Sequence, residues 1–341
     1  MKKNRVLLSF LLVLFMVGAM AFATACGGND SGGNVTGDDS ESTFTLQAGH
    51  SHPVDHPYHI AFLRMAENVY ERTNGRVIIE VHPDSIIGAE RELIEGLTLG
   101  TVDLVVSSTA PSVGIIPAMG ILDLPFLFDN REAAVNILES DIGDDLFAAL
   151  RNVGIIGLSW GENGFRHITN SLRPIHTPAD LSGIKIRTQE NNTHIRAFNL
   201  LGAQATPKSW PEALTAFQQG AVDAQENPAI IIYQFGLFGM GQTHMSLTGH
   251  VYSVAMYLMS QDAYNLLPPD LRAIVLEEGR MAGPYQRDLV AAMEMETIEN
   301  IRALGMQIVD NVNLEPFRTA IAPIHDEFPD QELLNRILDA Q

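Results

Sequence analysis

The chain has 341 residues, with 41 Asp and Glu against 21 Lys and Arg and a formal net charge of −20 at pH 7. So acidic a surface excludes nucleic acid and anionic lipid as partners, since both would repel it. The lone cysteine, Cys26, excludes an internal disulfide, and the chain length exceeds one typical domain and suggests two.

Lys2, Lys3 and Arg5 precede an apolar run from Val6 to Phe22. A cationic head, an apolar stretch and small residues beyond it make an export signal over residues 1–25. The competing reading is a retained membrane anchor, because the run is about long enough to cross a thin bilayer. Ala23-Thr24-Ala25 leads into Cys26, with Gly27 and Gly28 behind it. This resembles a bacterial lipoprotein signal, in which the cysteine is lipidated and becomes the mature N-terminus. Ala23 stands where that pattern more often has leucine. The resemblance implies an extracytoplasmic protein, lipid-anchored to the outer face of the cell membrane or periplasmic. Residues 26–43 are rich in Gly, Ser, Asp and Asn and read as a flexible tether. Cleavage after residue 25 takes three positive charges and no negative ones from −20, leaving −23. A cationic spot on such a protein is a purposeful exception.

Phe44, Leu46 and Ala48 alternate as in a strand. His50, His52, His56 and His59 follow within ten residues. Neutral imidazole is the commonest protein metal ligand, so the cluster opens a metal-site reading. The four span a strand end, a loop and a helix start, and no regular spacing brings them to one point. The other reading is a polar rim to a binding pocket, with His50 closest to the ligand and His59 on an exposed face. From Pro57 a helix presents Tyr58, Ala61, Phe62, Met65, Ala66 and Val69 on one apolar face and stops at Asn74-Gly75.

Strand 76–82, helix 89–100 and strand 101–108 come next, and this alternation predicts an α/β fold with parallel pairing. A helix is expected from Asn130 to about Asn152, then strands at 153–160 and 183–188, then helices from about Asn192 and from Ser209. Gly100-Thr101-Val102-Asp103 is echoed by Gly220-Ala221-Val222-Asp223, which fits two lobes of related topology. A long helical stretch starts near Pro269, and Gly283-Pro284 predicts a kink or break within it.

Enzyme signals are thin. The chain has no H-E-x-x-H, no G-x-x-x-x-G-K-S/T and no G-x-G-x-x-G after a strand. No enzyme activity, catalytic residue or cofactor is therefore expected. Two arginines sit in strand-like pieces. Arg187 shares a face with Lys185, opposite Ile184 and Ile186, and Arg166 shares a face with Ile168. An enclosed guanidinium needs an anion, and its planar fork suits a carboxylate. A structural ion pair or a solvated position is the commoner reading of an arginine on a strand. Trp210 falls in the first turn of a helix capped by Ser209 and Glu212, where it lies beside site-forming loops or packs between lobes. Gln225, Glu226 and Asn227 end a strand before Pro228, a place for a ligand or for simple turn chemistry.

The order "GENGFR", "TNSLRPI", "PADLSGIKIRT", then "LGAQATPKSWPEALTAFQQGAVDAQENP", resembles the extracytoplasmic solute-binding protein of a tripartite ATP-independent periplasmic (TRAP) transporter. "PDSIIGAERELIEGLTLGTVDL" and "LPPDLRAIVLEEG" extend the resemblance over nearly all of the mature chain. It implies a two-lobed α/β fold of the periplasmic-binding-protein type, with a long C-terminal helix bracing both lobes. Residues 44–163 plus about 252–291 form lobe I, and residues 164–251 plus about 292–341 form lobe II. The lobes are expected to close over a small carboxylate, with sugar acids such as hexuronates favoured. A monomer is expected to deliver it to the membrane permease subunits of the transporter.

By the same resemblance Arg187 pairs the ligand carboxylate and Arg166 is the second arginine of the site. Asn227 faces the ligand, Trp210 is an aromatic lid, and Glu90 and His50 line the cavity. Lys208 stands where methionine is common and Ala224 where glycine is, and Pro284 interrupts the spanning helix. The alternative function is metal-ion binding for uptake through the histidines from His50 to His59.

Overall fold

The computed structural model describes residues 42–341, so the export signal, Cys26 and nearly all of the tether lie outside the described residues. The elements in chain order are β1 (Phe44–Gly49), α1 (Pro57–Arg72), β2 (Val77–His82), α2 (Glu90–Leu99), β3 (Leu104–Ser108), α3 (Arg131–Leu138) and α4 (Asp141–Leu150). Then come β4 (Ile155–Asn170), β5 (Lys185–Thr188), α5 (Asn192–Leu200), β6 (Gln204–Pro207), α6 (Trp210–Gln218), β7 (Ala224–Pro228) and α7 (Ala229–Gln234). The chain ends with β8 (His244–Ser246), β9 (Tyr252–Ser260), α8 (Gln261–Leu266), α9 (Pro269–Ala303), β10 (Gln307–Val309), α10 (Glu315–Asp326) and α11 (Gln331–Asp339). Among these, no helix is long and apolar enough to cross a membrane.

The strands run in the order β2-β1-β3-β9-β4-β7-β5-β6, with β8 joining β4 to β10. Pairing is parallel within β2-β1-β3 and within β7-β5-β6, as the β-α alternation predicts. The central strands β9 and β4 run antiparallel to their neighbours, so the sheet is mixed. The two ends are matching units, because each places its first strand between its second and third. The echoed aspartates do the same work in both. Asp103 accepts from the Gln47 amide of β1 at 2.7 Å and returns its own N–H to the Gln47 carbonyl at 3.0 Å. Asp223 repeats this with Lys185 of β5, at 3.0 and 2.8 Å. Gly100 and Gly220 both adopt positive φ, +68° and +63°, where the preceding helix turns back into the sheet.

Strand β4 joins the halves. The sequence suggests separate strands at 153–160 and around Arg166, but one 16-residue strand covers both. Its first part pairs with β9, and from Arg166 onward it pairs with β7 and β8. A bulge at Asn163 marks the passage, with Gly164 at φ +121°. The polar Gly-Glu-Asn-Gly run within it is held by a side chain. Gln286 of α9 accepts from the Glu162 N–H at 2.8 Å and donates to the Glu162 carbonyl at 2.7 Å.

Helix α9 runs 35 residues with Pro284 inside it, so the expected break is corrected: the helix continues. Its glycines explain why a Gly-Pro pair is tolerated. Ser159 Oγ donates to the Gly279 carbonyl at 2.7 Å and accepts from the Gly283 N–H at 3.0 Å, inserting into one turn of the helix. The close crossing needs small residues, since a Cβ on Gly283 would meet the Trp160 carbonyl oxygen at 2.3 Å. Leu271, Val275 and Ala282 join the core beneath β1–β3, whereas Ile298 and Ile301 join the core of α6 and α7. One helix thus packs on both halves of the sheet. The single helix expected from Asn130 to Asn152 is two, because Ser140 caps α4 through its hydroxyl and restarts the chain direction.

Gly283→Ala should cost about 1–3 kcal/mol of stability in urea unfolding, the usual penalty for overpacking a close contact. Gly239→Ala, whose Cβ meets nothing within 4 Å, is the matched control. Equal stabilities would show that α9 is not seated on β4 as described.

Candidate functional site

Strand β4 emerges from its bulge into Arg166, a fully buried arginine. Its Nε and Nη2 fork onto the two carboxylate oxygens of Glu226 on β7, the Nη2 bond at 2.8 Å, and Nη2 also reaches the Glu226 carbonyl. Burial pushes the Glu226 carboxyl up, but Arg166 and the His250 imidazole at 3.3 Å outweigh it and hold the group below the usual carboxylate range. The pair is internally neutral. Arg166 Nη1 is left with no protein partner.

Arg187 lies one residue before the end of β5 and is 3% exposed. Its Nε and Nη2 donate to the Lys208 carbonyl at 3.0 and 2.7 Å. Among the described residues no carboxylate stands within ion-pair distance of it. Burial draws its pKa down to about 10; Glu226 opposes that and Arg166 adds to it. Its Cζ lies 5.3 Å from the ring of Trp210, an attractive cation–π geometry. Trp210 opens α6, as the capping pattern predicts: Glu212 accepts from Ser209 N and Oγ at 3.1 and 2.9 Å. The indole packs edge-on against Phe235 at 4.9 Å, and its Nε1 has no protein partner.

Arg187, Trp210 and Glu90 line one small cavity of about 10 Å³ together with Gln189, Glu190 and Lys208. Glu90 sits in the first turn of α2, where the helix dipole favours an anion. Its Oε1 accepts from Ser107 Oγ, Ser108 N and Ser108 Oγ at 3.2, 3.1 and 3.1 Å. Ser108, Arg187 and Asn227 all lie at the carboxyl ends of parallel strands, the usual ligand position of an α/β sheet. Asn227 is buried at the end of β7, with its Nδ2 donating to Gln225 Oε1 at 2.6 Å.

The histidines are closer together than their spacing suggests. His50 Nε2 meets His59 Nδ1 at 3.0 Å, and His50 Nδ1 accepts from the His52 N–H at 3.3 Å. The expectation that His59 is exposed is corrected: it is buried, because it is the ring partner of His50. His56 Nδ1 accepts from the Tyr58 N–H and so caps α1. The His52 ring lies 4.2 Å from His56, 4.9 Å from Tyr58 and 6.0 Å from Phe235. No group of three or more His, Cys, Asp or Glu among the described residues is placed to hold a metal ion.

Sequence reasoning did not single out two further buried polar groups. Both ring nitrogens of His194 and the Tyr58 hydroxyl are buried without a protein partner. Each such atom costs about 1–3 kcal/mol if left unpaired. Tyr58 lies on the apolar stripe of α1, and nothing local in the sequence sets it or His194 apart.

Residues 48–332 match the profile of the bacterial extracellular solute-binding protein family 7, DctP. The chain belongs to this family. Family 7 supplies extracytoplasmic solute-binding components of transport systems, which agrees with the resemblance read from the sequence. The Escherichia coli 2,3-diketo-L-gulonate-binding periplasmic protein YiaO is 32% identical over 308 residues, covering 90% of this chain and 89% of that one. A TRAP periplasmic solute-binding protein from Polaromonas, bound to D-erythronate, superposes with a TM-score of 0.83 at 38% identity, covering 87% of this chain and 98% of the other. The sugar acid binding protein DctPAm from Advenella mimigardefordensis, in complex with galactonate, gives a TM-score of 0.85 at 29% identity over 88% and 98% of the chains. Neither the DctP match nor these relatives support the metal-ion alternative.

The buried imidazoles make stability pH-dependent. Burial, first of all causes, lowers His50 to about 2, His52 and His167 to about 3 and His194 to about 4, and holds His56 well below its usual value. Below about pH 6.5 the unfolded chain takes up protons that the folded chain refuses, so their contribution is complete above that pH and is lost below it. Asp123, pushed up to about 7 by burial, opposes the trend by one proton. Stability should therefore fall from pH 6.5 to pH 5, by about 1.4 kcal/mol per pH unit for each net proton taken up. Urea unfolding across that range checks it, and a flat profile would mean that the imidazoles are solvated.

Proposed function

We propose that the protein captures a small organic acid of the sugar-acid class outside the cytoplasm and passes it to the permease subunits of a TRAP transporter. The observation that carries this is Arg187, a buried cation with no carboxylate partner. An uncompensated buried charge costs several kcal/mol, and a guest carboxylate would remove that cost. The bonds to the Lys208 carbonyl leave both Nη1 hydrogens and one on Nη2 for a bidentate grip. Three relatives carry the names of acids of this kind: diketogulonate, erythronate and galactonate each join one carboxylate to a hydroxylated or oxidised chain.

In this reading Arg187 is the clamp and Trp210 covers it. Arg166 offers its free Nη1, Asn227 offers its carboxamide, and Glu90 accepts from ligand hydroxyls through Oε2. His50 serves the rim indirectly, by holding the backbone of His52. Residues 44–163 with about 252–291 and residues 164–251 with about 292–341 act as two lobes that close about the β4 bulge. Two hydrogen bonds would latch them: Gln189 Nε2 to Ser108 Oγ and Asn191 Nδ2 to Asp123 Oδ2, both 2.9 Å. Closure dries the Arg187–carboxylate pair and so couples binding to the closed form. The monomer is held at the membrane by a lipid on Cys26 and reaches the permease along the tether of residues 26–43.

Thermal unfolding with a panel of uronates and aldonates, and with zinc plus chelator, tests the function. An acid at 100 times its Kd adds about 2.7 kcal/mol of stability, a shift of several degrees, and zinc adds nothing. Arg187→Ala should abolish the acid shift while the unliganded Tm holds or rises, because a burdened cation has gone. Stabilisation by zinc and by no acid, or an unchanged acid shift in Arg187→Ala, would defeat the reading. Separately, Cys26→Ser should move the protein from the membrane fraction to the soluble fraction, and retention in the membrane would defeat the lipid anchor.

A further inference from the structure

A second cavity, of about 280 Å³, lies at the other end of the sheet. Ser108 and Arg187 stand at the carboxyl ends of β3 and β5. This cavity instead adjoins the start of β4 and the end of β9, where Ile155 to Gly157 pair with Leu258 to Ser260. Leu104, the first residue of β3, faces Met259 along the same edge. The two places are thus at opposite ends of β3. Arg151 comes to the cavity from the turn after α4, Gln261 and Tyr264 from α8, and Arg280 from α9. Ile156 of β4 and Leu276 of α9 supply apolar lining.

Its charge is the opposite of the chain's. Among the described residues no Asp or Glu lines the cavity, and none forms an ion pair with Arg151 or Arg280. The acids nearby are committed elsewhere. Glu277 and Glu278, just before Arg280 on α9, both pair with Arg72, at 2.7 and 2.6 Å. Asp262, beside Gln261, has its carboxylate against Gly100 at the end of α2. A third arginine adds to the field. Arg272 shares a face of α9 with Leu276 and Arg280, at i, i+4 and i+8. Its Cζ lies 4.3 Å from the centre of the Tyr264 ring, and its Nη2 donates to the Leu267 carbonyl at 2.8 Å. It too has no ion-pair partner among the described residues. Three guanidiniums gathered without an acid, on a chain of net charge −20, make a local positive field that attracts anions.

The lining sets the chemistry of the guest. Each guanidinium presents a fork of N–H donors that matches a carboxylate or a phosphate, and the Tyr264 hydroxyl can donate a further bond. Ile156, Leu276 and the face of Tyr264 match an apolar body, which a bare inorganic ion lacks. We propose that this cavity is a second anion site, which takes a small organic oxyanion, a carboxylate or phosphate joined to a compact apolar group. The site is separate from the Arg187 cavity and does not rest on the role given to Arg187. It borders the crossing at which Ser159 of β4 enters α9 between Gly279 and Gly283. An occupant touching α8, α9 and β4 at once would reinforce that crossing, and by linkage would raise stability.

Calorimetry at low ionic strength tests this with phenyl phosphate, benzoate and inorganic phosphate, on the mature protein and on its Arg187→Ala variant. At least one organic probe should bind both proteins, at least tenfold more tightly than inorganic phosphate, and added salt should weaken it. Arg151→Gln and Arg280→Gln, each made in both backgrounds, should weaken that binding at least tenfold. Neither should move the Tm, because neither arginine has a partner to lose. The wild-type background guards against a folding defect in Arg187→Ala. Binding that is lost in Arg187→Ala but kept in Arg280→Gln would put the probes in the Arg187 cavity and overturn the second site. Absence of binding by either organic probe, or undiminished binding after both glutamine substitutions, would overturn it as well. Inorganic phosphate binding as tightly as the organic probes would overturn the ligand class. Failure of Arg187 as the carboxylate clamp would leave each of these outcomes readable, since they turn on Arg151 and Arg280.

Discussion

The buried ion pair between Arg166 and Glu226 organises the protein. It joins β4 to β7 at the point where β4 leaves one half of the sheet for the other. A buried pair is seldom a large net source of stability, since desolvation consumes most of the Coulomb gain. Its value here is positional. By using Glu226 to neutralise Arg166, the fold leaves Arg187 as the buried arginine with no carboxylate within ion-pair distance among the described residues. A strongly acidic chain thereby keeps one cationic place, and keeps it dry.

That place is assembled from both halves of the sheet, and the framework supports this. Strand β4 and helix α9 are long, continuous elements that belong to both halves, and they are stitched together by Ser159, Gln286 and the glycines at 279 and 283. Arg131 adds a charged tie, reaching Glu162 of β4 at 2.8 Å and Glu294 of α9 at 2.7 Å. The bulge at Asn163, with Gly164 at positive φ, is one of two register irregularities in the shared strand, the other lying at Leu158. Histidine chemistry fits the same plan. His50 and His59, both buried, exchange a hydrogen bond with each other, and that role needs no metal.

The sequence by itself determined the α/β class, through the alternation of strand and helix patterns, and the matching of the two sheet ends, through the Val-Asp echo. Asp103 and Asp223 are legible because their work is local: each bonds the neighbouring strand just after a helix turns on glycine. Arg187, Trp210 and Asn227 are legible as strand-end and helix-start positions, and the order of motifs assigned the family. Only the tertiary structure decided which arginine carries an uncompensated charge, because that depends on where Glu226 points. It also decided that β4 passes unbroken through Gly-Glu-Asn-Gly and α9 through Gly-Pro, since Gln286 and Ser159 lie more than a hundred residues from the backbone groups they satisfy.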